Sequence, residues 1–165
     1  MDLNNFIQEF RDGVEQLPNE LLRLYTGAAL NAKAIVQQRI QETGRDSKNA
    51  TLHPYSKQYL AFKKGEANNP YVPGEKLPSN RYRGFTDFTL TGAMWNNINL
   101  KRTDSSDEGI KIVVGATSAD NQQKVDHVSD LWEDIFLMRS EEEKNLALAF
   151  EEDLQASVNK LFDLK

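Results

Sequence analysis

Between Leu21 and Ile40 apolar side chains return every three or four residues, through Leu22, Tyr25, Ala28, Ala29, Ala32, Ile35 and Val36. That spacing lines one face of a helix, so a helix ending near residue 43 is the first fixed point of the fold. Its alanine-rich middle, Ala28, Ala29, Ala32 and Ala34, suits close approach by another helix or a sheet. Gly44 follows as a C-terminal cap. Upstream, Leu3, Phe6, Ile7, Phe10 and Val14 keep the same period and predict an amphipathic helix over 2–16. Pro18 lacks a backbone donor and is expected to break or restart it.

The far end mirrors this. Leu146, Ala147, Phe150, Leu154, Val158, Leu161 and Phe162 form one stripe, predicting a helix over 140–163. Ser140 and Glu143 have capping-box spacing at its start. Between the ends, Ile98–Arg102 and Ile110–Val114 flank a turn cluster at 104–109 and predict a β-hairpin over 98–115. Phe85–Leu90 reads as extended, and Gly92–Asn97 as one or two helical turns opened by Thr91. A weaker helix is expected over 119–130, and Ile135–Met138 is a short apolar strand or turn. The fold class is α+β: long N- and C-terminal helices packed on a small antiparallel β-sheet. Residues 1–165 are expected to form a single domain, which suits a chain of this length.

The stretch from 44 to 86 is different. It holds every proline but Pro18, and its periodicity is weak apart from a short helix at about 54–64. Residues 44–85 carry eight lysines and arginines against three acids, a net of +5, while the whole chain is −5 and residues 120–165 are −7. This split reads either as two solvated faces or as complementarity, the basic segment of one copy meeting the acidic surface of the next. A head-to-tail contact of the second kind closes into a ring when the rotation permits. The segment is expected to be an extended basic, aromatic arm between helix and sheet. Tyr55, Lys57, Tyr59, Lys63, Lys64, Arg81, Tyr82 and Arg83 are its candidate subunit or partner interface, since tyrosine and arginine anchor protein contacts. The same mixture suits phosphate contact and base stacking, so DNA binding through 44–86 is the alternative.

Chemistry is hard to place. Without cysteine, disulfides and thiolate metal sites are excluded. Only His53 and His127 offer imidazoles, no Gly-x-Ser-x-Gly turn occurs, and Ser56-Lys57 lacks Ser-x-x-Lys spacing. Asp126, His127 and Asp130 read as a solvated face rather than a ligand set. Glu141–Glu143 and Glu151–Asp153 read as the polar face and positive end of a helix rather than the paired carboxyls of a hydrolase. Phosphate-cradling glycine loops are absent. No catalytic residue, cofactor or metal is therefore expected, and the chain reads as no enzyme. The N-terminus lacks the basic start and apolar run of a signal peptide, and no apolar stretch reaches a membrane span. A reducing cytoplasm is the expected place of synthesis. Trp95 and Trp132 lie beside apolar positions and are expected in the core.

Asp87-Phe88-Thr89-Leu90-Thr91-Gly92-Ala93-Met94-Trp95-Asn96-Asn97-Ile98 resembles the leucine-threonine-glycine pattern of bacteriophage tail-completion and head–tail joining (neck) proteins, lambdoid-type tail components. In that family a long helix precedes the pattern, and a hairpin and a final helix follow it, the order expected here. Tyr55-Ser56-Lys57-Gln58-Tyr59 is similar to a segment before the motif in some members, and Arg139–Glu143 to the start of their last helix. Many members carry a proline just before Thr-Gly; here Phe85-Thr86-Asp87-Phe88 has none. The resemblance implies a non-catalytic virion subunit, assembled in the host bacterial cytoplasm as a ring homo-oligomer at the head-proximal tail or neck. It implies neighbouring tail and neck proteins as partners, with DNA passing through the ring. The residues themselves give the motif a structural reading. Thr91 caps a turn, Gly92 allows close backbone approach, and Leu90, Met94 and Ile98 stand at four-residue spacing for burial beside Trp95.

Overall fold

The computed structural model describes residues 3–88, 93–106, 109–131 and 134–162. Seven elements follow in order: α1 (Leu3–Thr43), α2 (Lys57–Lys63), α3 (Ala93–Asn97), β1 (Ile98–Ser106), β2 (Gly109–Ala116), α4 (Ala119–Leu131) and α5 (Ser140–Leu161). The fold is α+β: long helices at both ends and a two-stranded β1–β2 sheet between them. Among the described residues no helix is long and apolar enough to cross a membrane.

α1 runs unbroken for 41 residues and carries Pro18 inside it, where the sequence predicted a break. Proline in a helix interior costs about 3 kcal/mol through its lost bond and ring clash. Apolar residues continue in helical register across it, through Val14, Leu17, Leu21 and Leu24, and Leu24 is buried.

The chain divides into two compact units. One holds α1 as far as Lys33, the hairpin from Asn99 to Gly115, and α5 from Arg139. Here α1 and α5 run antiparallel, because successive positions along α1 meet descending positions along α5. Phe10 meets Phe162 with ring centroids 5.3 Å apart, and Tyr25 meets Phe150 at 4.8 Å. Between them the Ser157 hydroxyl donates to Glu20 Oε1 at 2.8 Å. Arg23 grips the same carboxylate with two bonds, Nη2 to Oε1 at 2.6 Å and Nε to Oε2 at 3.0 Å. These bonds, Arg23 first and Ser157 next, hold the Glu20 carboxyl down at about 2. Gly13 is the point of closest approach: a Cβ there would lie 2.8 Å from the Phe162 ring and 2.9 Å from the Leu161 carbonyl oxygen. α5 starts at Ser140 as expected, but its cap lies one residue before the predicted one. Arg139 is the N-cap, and Glu142 rather than Glu143 reaches back, accepting from the Arg139 N–H at 2.8 Å.

The other unit holds α1 from Ala34, the chain to Ile98, and Ala116–Met138. Its core is Val36, Ile40, Leu52, Phe62, Trp95, Ile98, Ala116, Val128 and Ile135, all buried. Ile135–Met138 is a turn rather than a strand. Arg39, itself buried, donates through Nη2 to the carbonyls of Ile135 at 3.0 Å and Leu137 at 2.8 Å. Trp95 is buried as expected and packs edge-on against Phe136; Trp132 lies outside the described residues. Gly44 caps α1 in the left-handed region (φ 61°), its N–H bonding the Ile40 carbonyl at 3.0 Å. A Cβ on Gly44 would meet the Phe85 side chain at 2.6 Å, so both backbone and packing require glycine there.

Candidate functional site

The segment from 44 to 88 has little regular structure beyond α2, yet it is folded back on its own unit rather than extended. Arg45 and Thr51 form an antiparallel bridge, and the Asp46 carboxylate accepts from the N–H groups of Lys48 and Ala50. Lys48 also pairs with Asp134. Further on, Ser56 caps α2, its hydroxyl accepting from the Tyr59 N–H at 3.3 Å. The Arg81 N–H bonds the Lys63 carbonyl at 2.7 Å, and Arg83 Nη1 donates to the Gln41 carbonyl at 3.2 Å.

At its centre lies a polar cluster sealed from water. Lys63 closes α2 with its side chain wholly buried, and its Nζ lies 2.5 Å from Asp87 Oδ1. The Asp87 side chain is 2 % exposed. The Tyr55 hydroxyl donates to the same Oδ1 at 2.7 Å and receives the N–H of Asp87 at 3.2 Å and of Phe88 at 2.9 Å. Lys63 Nζ also lies 3.2 Å from the Tyr55 oxygen and 4.7 Å from its ring centre. Burial pulls the Lys63 ammonium below its usual range, and the Asp87 carboxylate opposes that shift. Burial likewise raises the Tyr55 hydroxyl, reinforced by Asp87, and pushes Tyr59 up to about 12.

What this cluster does is hold backbone. Phe88 has a positive φ of 49°, a conformation that costs a non-glycine residue about 1–2 kcal/mol. Its N–H is tied to the Tyr55 hydroxyl, so the cluster pins the strained residue directly before 89–92. With Lys63 and Asp87 sealed, neither side chain can meet a dissolved substrate.

The eight residues marked as a partner surface therefore separate. Lys57, Arg81 and Arg83 are exposed; Tyr55, Tyr59, Lys64 and Tyr82 are half-buried. Lys63 is the exception, since its ammonium faces Asp87 and no outside partner can reach it. Lys64 points the other way, its Nζ 6.0 Å from the Tyr82 ring centre. Arg83 Nε stands 4.0 Å from Asp87 Oδ2 at the edge of the cluster. Of the motif residues, Trp95 and Ile98 are buried and Met94 half-buried; Leu90, Thr91 and Gly92 lie outside the described residues. Asn97, between them at the end of α3, ties that helix to the residues just before α4. Its side-chain oxygen accepts from the N–H groups of Thr117 at 3.0 Å and Ser118 at 2.8 Å.

Two features had no counterpart in the sequence reading. Asp87 stood there only as the first letter of the motif, not as the partner of Lys63. The turn at 69–75 is closed by Asn69 N–H to the Glu75 carbonyl at 2.7 Å and by the Asn69 and Glu75 side chains, and it presents Tyr71 and Val72 to solvent. The carboxylates considered for hydrolysis stand on α5: Glu141, Glu143, Glu151, Glu152 and Asp153 are exposed, and Glu142 serves the helix start. Asp126 accepts from Gln122 at 2.7 Å, and His127 and Asp130 are exposed. No group of three or more potential metal-ligating histidine or carboxylate side chains occurs among the described residues. Comparison with family models, with curated proteins and with solved structures yields no match.

Proposed function

We propose that this chain is a non-catalytic virion protein of a tailed phage or prophage, a ring subunit at the head-proximal tail or neck that acts in tail completion or head–tail joining. Its partners are further copies of itself and the adjoining tail and neck proteins, and it is assembled in the host cytoplasm and retained in the virion. The observation that carries this reading is the setting of the motif at 87–98. A long helix precedes it, a hairpin and a closing helix follow it, and its first residue, Asp87, is buried against Lys63. A motif whose one charged residue, Asp87, is sealed against Lys63 supports a structural role better than turnover. Electron microscopy of the purified full chain, alone and with the neck partners, tests it. Closed rings are the expected result. A monomer at high concentration that stays monomeric with those partners overturns it.

The exposure of Lys57, Arg81 and Arg83 favours one second reading, contact with DNA through 44–86. Retention of duplex DNA at low ionic strength that vanishes steeply with salt is its signature. Both readings hold together if the ring encloses a DNA channel.

A further inference from the structure

A shallow groove of about 570 Å³ opens beside α2, lined by Lys57, Gln58, Ala61, Ala67, Asn68 and Pro70. Ala61, Ala67 and Pro70 make it partly apolar, and the others bring an ammonium and two amides. Pro70 leads straight into Tyr71 and Val72, 73 % and 50 % exposed on the turn that Asn69 and Glu75 close. The Tyr71 ring lies beside that of Tyr59, centroids 6.0 Å apart, so it is held in place before any partner arrives. An ordered aromatic next to an apolar groove is the kind of feature that anchors a protein contact. The surroundings are basic: with Lys63 spent on Asp87, residues 57–83 carry five other bases against two acids. α5 bears a matching surface. Phe150 meets Tyr25 and Ser157 bonds Glu20, which marks the side of α5 turned to α1. Leu148 stands two residues from Phe150, on the opposite side, and is 49 % exposed. Glu141 lies two turns before it, and Glu151 and Glu152 one turn after it, so all three share its side. Lys144 is the base on that side.

We infer that the acidic side of α5 in one copy docks on this groove in the next, with Leu148 against Ala61, Ala67 and Pro70 and the glutamates facing Lys57 and its basic neighbours. Charge decides the occupant. A groove in basic surroundings repels a second basic segment and accepts an acidic one. In α5 a single exposed leucine stands among acids, just as the groove's apolar lining stands among bases. Leu148 supplies the apolar contact, and the charges set its register and exclude wrong neighbours. A phosphodiester backbone would meet the bases but leave Tyr71 and Val72 in water. The two faces differ, so the contact is head to tail and repeats from copy to copy, as a ring requires. The inference rests on the self-assembly proposed above and deepens it by naming both faces.

The chain has no cysteine, so paired thiols report the contact. Full-length Leu148→Cys mixed with full-length Ala67→Cys is expected to give disulfide-linked heterodimers under mild oxidation. Their yield should be several-fold higher than from Leu148→Cys mixed with Asp120→Cys, an exposed position on α4. Lys57→Glu and Glu152→Lys change exposed side chains, and each should move assembly to several-fold higher protein concentration in sedimentation. Lys57→Glu/Glu152→Lys in one chain should recover most of that loss, because every contact then carries both reversals. Equal cross-linking of the two mixtures, or no recovery in the combined variant, overturns the docking. Loss of DNA retention in Lys57→Glu with assembly unchanged overturns it too, in favour of phosphate contact. Rings seen by electron microscopy alongside any of these failures leave the ring reading standing alone. A wild-type monomer at all concentrations, with and without the neck partners, overturns both.

Discussion

Lys63 and Asp87 show how one buried pair can organise a segment that has almost no regular structure. Removing one partner of such a pair leaves an uncompensated charge in the interior, which costs about 3–5 kcal/mol. Asp87→Asn and Lys63→Met should each destabilise the protein by that order in denaturant unfolding. The double variant Lys63→Met/Asp87→Leu should lose much less than the two single effects together, because no lone charge remains. Simple additivity would show that the pair does not act as a unit. The neighbouring phenols add a pH dependence. Tyr59 titrates at about 12 in the fold against 10.0 ordinarily, and Tyr55 is raised as well. Between pH 10 and 12 the folded chain holds protons that the unfolded chain has lost, so stability falls as pH rises through that window. Tyrosinate absorbance during alkaline unfolding checks this. Tyr55→Phe should flatten the slope. Little of this was legible beforehand. Lys63 ends a seven-residue helix and Lys64 is its C-cap, and composition alone does not say which faces inward. The chain reveals it only by bringing Asp87, 24 residues on, into the same pocket.

At the scale of elements, helical period carried most of the information. α4 and α5 stand within two residues of their expected bounds, and the hairpin within two. The cap at Gly44 was readable because glycine after a periodic run has one common use. Pro18 was misread: its missing donor was weighed alone, whereas the apolar period runs on across it in one unbroken helix. Gly13 was invisible, since its partner lies some 150 residues away. Gly13→Ala brings two opposed effects. Alanine favours a helix interior over glycine by about 1 kcal/mol. Against that, the new Cβ meets the Leu161 carbonyl oxygen at 2.9 Å, and backbone yields less readily than a side chain. Overpacking of this kind costs typically about 1–3 kcal/mol. Net destabilisation of about 1 kcal/mol is expected, read as a lower thermal midpoint. An increase in stability would mean the α1–α5 approach is looser than these distances.

For the molecule as a whole, the charge split seen in the sequence is partly consumed by folding. Lys63 goes to Asp87, and Lys48 to Asp134. Lys57, Lys76, Arg81 and Arg83 remain exposed from the basic segment, and Glu141, Glu143, Glu151, Glu152 and Asp153 from the acidic one. Subunit contact and DNA contact use these charges differently. Exposed ion pairs are worth about 0–1 kcal/mol each and are screened by salt. Self-assembly should therefore weaken only modestly between low and physiological ionic strength. DNA contact through Lys57, Arg81 and Arg83 should instead fall with a slope of about −3 in log affinity against log salt, one counterion for each phosphate met. Arg81→Glu/Arg83→Glu distinguishes them further. It should abolish DNA retention, and it should also weaken assembly where those arginines face the acidic surface of a neighbour. Sedimentation and DNA-binding isotherms on the same preparation separate the cases. If assembly and DNA retention share one steep salt slope, the basic segment works through phosphate, and the acidic surface of the next copy has no part in holding it.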